Sequence, residues 1–566
     1  MITFVIFLIM RAIKITILLL SALFSLCATA QKTPSPKYEY RAVWLTTIEN
    51  LDWPKTLVKA PADTLAQQRE LTSVLDSLHS LGVNTVLLQT RVRGDVIYPS
   101  AIESFSHVLT GDEGRNPGYD ALAFAVRECH KRGMQLHAWV VSLPLGKAEH
   151  IKRMGKMSLV YKQRALCSYY DGNWYMEPGN PATADYLCAL VTEIVKNYDV
   201  DGLHLDYIRY PDRVKNYPDA ALHRRHGKGL SLSAWRRANI TAIARRVCEV
   251  VKELKPWVRV SCAPLGKYGD LAQYSSYGWN ARETVFQEAQ DWMRDGYMDI
   301  LFPMLYFKGN NFYPFVLDWQ ENSHGRHIVP GVGVYRLLPE YGGWQPVEIA
   351  RQLNTSRSAG TAGTALFRAH HLLSNAGGAA ELYSSIYAKK ALVPPLDWAA
   401  AAAPATPAAF AVESRGDTLA LSWQLVPEVA GHPLNKYNLY VAVGDTVDID
   451  DVDNLLCDNL QGDSFVWACR TTSALSFALT AVDAYGRESV AARLHIPARN
   501  PRLEALTLPE PFAWGQRLLV HDVRGKLLYS GRYSTSVVVS ELACGYYRLT
   551  VTDRDGAVLW SDYFKR

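Results

Sequence analysis

The stretch DGLHLDYIRYP, Asp201 to Pro211, carries an imidazole and a carboxyl inside an apolar run. His204 and Asp206 stand two residues apart, so in a strand they share one face. Arg209 follows three positions later. Two other strand-like runs repeat the design. Gln89 and Arg91 share a face in VLLQTRVRGDVIYPS, and His137 and Trp139 share one in LHAWVV. A single polar pair inside a strand is commonly structural. Three such runs are harder to read as packing, because an unpaired buried charge costs several kcal/mol. A wet cleft imposes no such cost. LFPMLYF adds Tyr306, and the last apolar run ends on Arg368 and His370.

Aromatic faces beside polar strand ends suit a sugar, and the glycoside hydrolysis implied by the chain's family resemblance uses two carboxyl groups, one protonating the leaving oxygen and one attacking or activating water. Asp206 is one of the two, as nucleophile or base, kept ionised by His204, Arg91 or Arg209. The second is Asp95, then Glu177, then Glu49, in that order of preference. For each of these a helix cap or a surface ion pair is the competing reading. A separation of about 5–5.5 Å would give retention and about 6.5–9.5 Å inversion. Tyr98, Trp139, Tyr207 and Tyr306 offer flat faces to sugar rings. Gln89, Arg91, His137, His204 and Arg209 offer hydrogen bonds to hydroxyl or acetamido groups. His223 to His226, HRRH, lacks the i, i+4 pair and glutamate of a helical zinc site and reads as solvated. No metal and no cofactor is expected.

These residues need a scaffold that brings strand ends together. From about residue 38 to 400, apolar strands alternate with amphipathic helices. The strands fall at 41–47, 85–91, 135–141, 202–208, 258–266, 299–307, 327–335 and 364–370. Eight such units predict an α/β fold, a (β/α)8 TIM barrel over 38–396, with its site at the C-terminal strand ends. Asp299 precedes its strand and is excluded on that ground. A doubly wound sheet is the alternative, but no Gly-rich phosphate loop is present. Residues 393–409 form a Pro/Ala-rich linker. Short strands and turns then predict two small all-β sandwich domains, 404–498 and 501–566.

Composition agrees with a folded protein: 48% apolar and 20% charged, with 15 Trp and 31 Tyr. The formal net charge is +5, of which Arg11 and Lys14 supply two, so nothing marks a nucleic-acid partner. MRAIKITILLLSALFSLCATAQ has the basic start, apolar run and Ala-Thr-Ala end of a secretory leader covering residues 1–30. An uncleaved anchor is the alternative. The protein is therefore expected to be exported, to the periplasm, the outer-membrane surface or beyond, with no membrane span after cleavage. The scattered cysteines form no zinc pattern, and Cys457 and Cys469 are the one pair whose spacing invites a disulfide.

The ordered runs EYRAVWLTTIENLDWP, VLLQTRVRGDVIYPS, EPGNPATADYL, YDVDGLHLDYIRYP, AWRRANI and LVPPLDW resemble the glycosyl-hydrolase-like family 10 proteins, a group of bacterial cell-envelope barrels. The resemblance covers about residues 38–400. It implies a glycosidase-type barrel acting on a polysaccharide; at least one relative acts on peptidoglycan strands stripped of stem peptides. Two loops depart from the family pattern: VVSLPLG follows His-Ala-Trp, and Glu177 stands where relatives carry Asn. Trp423, Tyr440 and AVDAYGRES resemble a fibronectin type III domain, and the last segment resembles a type IX secretion sorting domain. The competing readings are a non-catalytic glycan-binding protein and a metal-dependent polysaccharide deacetylase using Asp206, His204 and His370.

Overall fold

The computed structural model describes residues 36–565 apart from 213, 401, 416–417, 428–435, 470–472, 498–504, 508–515, 533–535, 539–541 and 543–544. The expected leader, with Cys27, and Cys544 lie outside the described residues.

Parallel strands build the first region. They are β1 (Tyr40–Leu45), β2 (Thr85–Arg91), β3 (Gln135–Val141), β7 (Gly202–Asp206), β8 (Arg259–Cys262), β9 (Ile300–Leu301), β10 (His327–Ile328), β11 (Gly331–Val332) and β12 (Gly363–Leu366). A small antiparallel sheet of β4 (Pro144–Lys147), β5 (Cys167–Tyr170) and β6 (Asn173–Met176) is inserted after β3. The nine parallel strands run in the order β10-β9-β8-β7-β3-β2-β1-β12-β11. The sheet curls until its two edges, β10 and β11, belong to one short segment separated only by Val329 and Pro330. Backbone bonds flank the break: Val329 N–H donates to Leu301 O, and Ala365 N–H to Pro330 O. Pro330 has no N–H, so the ladder is interrupted there and the ring is not continuously closed. That is a partial correction to the expected eight-stranded closed barrel.

Alternation sets the two faces of every strand. Inward go Ala42, Trp44, Leu87, Trp139, Ile300 and Phe302, which form one buried cluster. Outward go Val43, Leu45, Leu88 and Leu205, which pack on the helices. The Pro61–Ser80 helix shows why: Leu71, Leu75 and Leu78 recur at helical spacing and are buried, and proline opens the first turn. The Ala182–Asn197 helix repeats this with Leu187, Leu190, Val191 and Ile194.

Gly202 opens β7 opposite His137 on β3. A Cβ there would stand 2.6 Å from the imidazole ring, which is itself fully buried. Gly202→Ala is expected to destabilise the curled sheet by about 1–3 kcal/mol, read from the protein's thermal melt.

The C-terminal region is all-β. One three-stranded sheet (Ala408–Arg415, Thr418–Gln424, Ser464–Ala468) and one four-stranded sheet (Leu455–Leu460, Lys436–Val443, Leu475–Val482, Ala492–Ile496) enclose a core that includes Trp423 and Tyr437. A further four-stranded sheet contains Arg517–Asp522 and Tyr546–Thr552. The expected linker is strapped down. Leu396 N–H donates to Tyr485 O, and Trp398 Nε1–H donates to Asp299 Oδ1 at 3.1 Å. Asp299 thus serves the N-terminal end of the strands, as its position predicted. The cysteines of the described residues are free, Cys457 and Cys469 included. No helix among the described residues is long and apolar enough to cross a membrane.

Candidate active site

A cleft of about 510 Å³ opens at the C-terminal ends of the strands, lined in part by Gln89, Trp139, Asp206, Tyr207, Arg209 and Tyr306. Asp206 is the last inward-facing residue of β7 and is 6% exposed. Trp139 Nε1–H donates to its Oδ2 at 3.1 Å, and the Tyr207 N–H to its Oδ1 at 2.7 Å. Tyr207 makes the second bond by adopting φ +50°, a left-handed conformation that costs a non-glycine residue about 1–3 kcal/mol. Burial pushes the Asp206 carboxyl up to about 6; the nearby Arg209 guanidinium and the two N–H donors hold back part of that rise.

Arg209 stacks over the Tyr207 ring at 4.7 Å and is ion-paired with Asp212. Asp212 is half-exposed and, with Asp206, is one of two carboxyls lining the cleft among the described residues. Gln89 shapes the rim: its Oε1 accepts from the Thr47 and Ile48 N–H groups. Asp52 fixes the same loop by accepting from Thr46 N and Oγ1 and pairing with Arg368. Tyr306 stands 5.3 Å from the Phe367 ring at the cleft wall.

Other residues expected at the site lie elsewhere. His204 shares the inward face with Asp206 but sits one layer deeper, fully buried. Its Nε2 accepts from Trp44 Nε1–H at 3.2 Å and its Nδ1 meets Ser261 Oγ at 3.0 Å. Burial holds its pKa well below the usual value, so it is a neutral core histidine. His137 is a layer deeper still, pushed down by burial to about 3. Arg91 is turned away from the cleft and forms a buried bidentate pair with Glu103. Tyr98 is buried against Tyr198 at 5.6 Å. Asp95 is buried in the loop after β2 and accepts from the Arg93 N–H at 2.9 Å, holding its own turn. Glu177 accepts from Ser168 Oγ–H and the Gly179 N–H, behind the β5–β6 hairpin. Burial raises both acids, but neither lines the cleft. Glu49 is exposed on the first loop. The deacetylase ligands do not converge either: both His204 nitrogens are engaged, and the His370 side chain is exposed while its N–H donates to Asp52.

The sequence reading passed over Arg93, Asn173, Tyr175 and Asp212, all on the cleft. The signal for Asp212 was available: Arg209 and Asp212 are three apart across Pro211, a spacing that returns the acid to the arginine.

Trp139→Phe would remove one donor from the ionised form of Asp206. The pH at which its carboxyl titrates is expected to move up by about one unit, since a hydrogen bond to a charged group is worth about 1.5–3 kcal/mol. The pH–rate profile reads this directly.

A curled parallel α/β sheet with a buried carboxyl facing an open cleft at its strand ends is consistent with the TIM-like glycosidase class of fold. Residues 39–342 match the family model for glycosyl hydrolase-like 10, and the chain belongs to that family. It is 28% identical over 436 residues to the glycosyl hydrolase YngK of Bacillus subtilis (strain 168), covering 72% of this chain and 83% of that one. It is 29% identical over 301 residues to the glycosyl hydrolase DigH of Escherichia coli (strain K12), covering 50% and 67%. A solved α-L-fucosidase isoenzyme 2 from Paenibacillus thiaminolyticus aligns with a TM-score of 0.42 at 18% identity, covering 62% of this chain and 49% of that one.

Proposed function

We propose that the protein is an exported glycoside hydrolase acting on a bacterial glycan, with Asp206 as the proton donor to the leaving oxygen and Asp212 as the second carboxyl. The reading rests on one observation: Asp206 is buried, held through both oxygens, and faces a cleft walled by Trp139, Tyr207 and Tyr306. The sequence reading made Asp206 a base or nucleophile. A carboxyl lifted to about 6 by its apolar surroundings is better suited to donate a proton. Asp212, ion-paired and half-exposed, replaces Asp95, Glu177 and Glu49 as the second carboxyl, and the exchange of roles gives it attack or water activation.

The substrate proposed is peptidoglycan glycan strands lacking stem peptides. Arg93, Arg209 and Arg368 on the cleft lining support it, because guanidinium groups pair with the carboxylates such strands carry. In the same reading the curled sheet is a (β/α)8 barrel interrupted at Pro330. The three-plus-four-stranded sandwich is a fibronectin type III domain, and the last sheets are a sorting domain. The test is incubation with purified peptidoglycan, with and without stem peptides, reading soluble sugar. Wild type is expected to release sugar from stripped strands, and Asp212→Asn to lose about a hundredfold or more of that rate. Retention on the glycan without release would make the protein a binding module instead.

A further inference from the structure

Behind the cleft wall, two loops bring together side chains far apart in sequence. His107 opens the His107–Thr110 helix after β2, Glu113 follows it, and His150 lies in the Ala148–Met154 helix after β4. One ligand atom from each lies within 4.8 Å of the other two. His107 Nδ1 is 3.4 Å from Glu113 Oε1, and His150 Nδ1 is 3.5 Å from the same oxygen. These distances are long for hydrogen bonds, whose usual range is about 2.7–3.2 Å. They match the edge of a tetrahedron of ligands about 2.0–2.1 Å from a central ion, which is about 3.3–3.4 Å.

Three further observations point to a cation. His107 Nδ1 and Glu113 Oε2 are buried with no hydrogen-bond partner. The His150 side chain is 9% exposed, and its Nε2 lies 3.3 Å from the Arg93 carbonyl oxygen. A carbonyl only accepts, so in the neutral imidazole the proton sits on Nε2 and leaves the Nδ1 lone pair available on the carboxylate side. That is how a metal-binding histidine is oriented from its outer side. Asp95, buried in the same loop, likewise leaves its Oδ2 with no hydrogen-bond partner. The resident competitor is Arg153, whose Nε is 3.3 Å from Glu113 Oε1 and whose Nη2 is 3.5 Å from His150 Nδ1. Its side chain is 56% exposed, so it can swing into water.

We propose that His107, Glu113 and His150 form a binding site for a first-row divalent cation of the zinc type, with a fourth position open on the exposed side of His107. Two histidines and one carboxylate are a donor set that borderline cations prefer over magnesium or calcium. The site ties the loop after β2 to the helix after β4. Through the Arg93 carbonyl it reaches a residue of the cleft lining. It is structural and stands independently of the hydrolase reading.

The test is calorimetric titration of chelator-treated full-length protein with zinc chloride, with melting temperature as a second readout. Wild type is expected to bind about one equivalent and to melt higher with zinc. His107→Ala and Glu113→Gln should each weaken binding about tenfold or more and lose the melting shift. Arg153→Ala decides between the readings. Removing the competitor should tighten zinc binding if the site is a metal site. If the cluster is only a salt-bridge network, the variant should melt lower and bind zinc no better. No zinc binding by wild type, equal binding by the two ligand variants, or unimproved binding by Arg153→Ala would overturn the proposal.

Discussion

Asp206→Asn is expected to lower turnover about 10²–10⁴-fold and at the same time to stabilise the fold above pH 7. The two effects have one cause. The folded protein holds a proton on Asp206 up to about pH 6, whereas the ordinary value is 3.8. Between those values the folded state binds more protons than the unfolded chain, so stability falls as pH rises through the window and the loss persists above it. The displacement corresponds to about 3 kcal/mol at neutral pH. Asparagine is neutral throughout and escapes that cost. Its amide has one accepting oxygen, so either Trp139 Nε1–H or the Tyr207 N–H loses its acceptor, at about 1 kcal/mol or more. A net gain of about 1–2 kcal/mol is therefore expected at pH 7.5, turning into a deficit below pH 4. Melting curves at the two pH values test the sign. The wild-type kcat/KM should fall as pH rises through about 6. A profile that climbs there instead would return Asp206 to the role of base.

Much of the scaffold was legible because its strands are apolar runs with clear ends. The expected limits of β2 and β3 coincide with those observed. The later strands were read too long, and proline is the reason. Pro264, Pro303 and Pro330 follow β8, β9 and β10 at the same short distance, and each removes a donor from the ladder. Beyond Pro264 and Pro303 only isolated bridges remain, Leu265 to Met304 and Met304 to Gly331, and beyond Pro330 only the two residues of β11 pair, yet the apolar pattern runs on, so composition alone extends the strand. The site was legible in direction but not in depth. Period two correctly put His204 and Asp206 on one face, yet an inward face in a curled sheet is a stack of layers. Only its last member reaches the cleft. A second miss came from register. The pairing of β2 with β3 shifts between Gln89 and Arg91. A one-residue slip exchanges the two faces. Arg91 therefore turns to Glu103, and Arg93 takes the place on the cleft that alternation had given to Arg91. The His107, Glu113 and His150 cluster had no sequence signal, because its members come from loops whose meeting is decided by the curl of the sheet.

Glu103→Ala is expected to cost about 3–5 kcal/mol, more than Gly202→Ala. Arg91 and Glu103 have side chains 0% and 2% exposed, and they meet through two parallel bonds, Nε to Oε2 at 2.8 Å and Nη2 to Oε1 at 2.7 Å. Tyr186 O–H adds a third donor to Glu103 Oε1 at 3.0 Å. Truncating the acid strands a guanidinium where water cannot reach it. The remaining bonds of Arg91, from Nη1 to the Val141 and Ser142 carbonyls and from Nη2 to Met176 Sδ, do not neutralise it. Val141 ends β3 and Ser142 follows it, and the Ser142 N–H in turn donates to the Asp206 backbone oxygen at 2.8 Å. The pair is thus a strut from β2 across the end of β3 to the residue that carries the proposed chemistry. Glu103→Ala should therefore lower activity at temperatures where the variant is still folded, with kcat affected more than KM because Asp206 is displaced rather than the sugar contacts. The double variant Arg91→Met/Glu103→Leu removes both charges together. It is expected to be less destabilised than the sum of its single variants, because no charge is left buried alone. A double variant as unstable as that sum would mean that the pair acts through its shape and its carbonyl bonds, not through its charges.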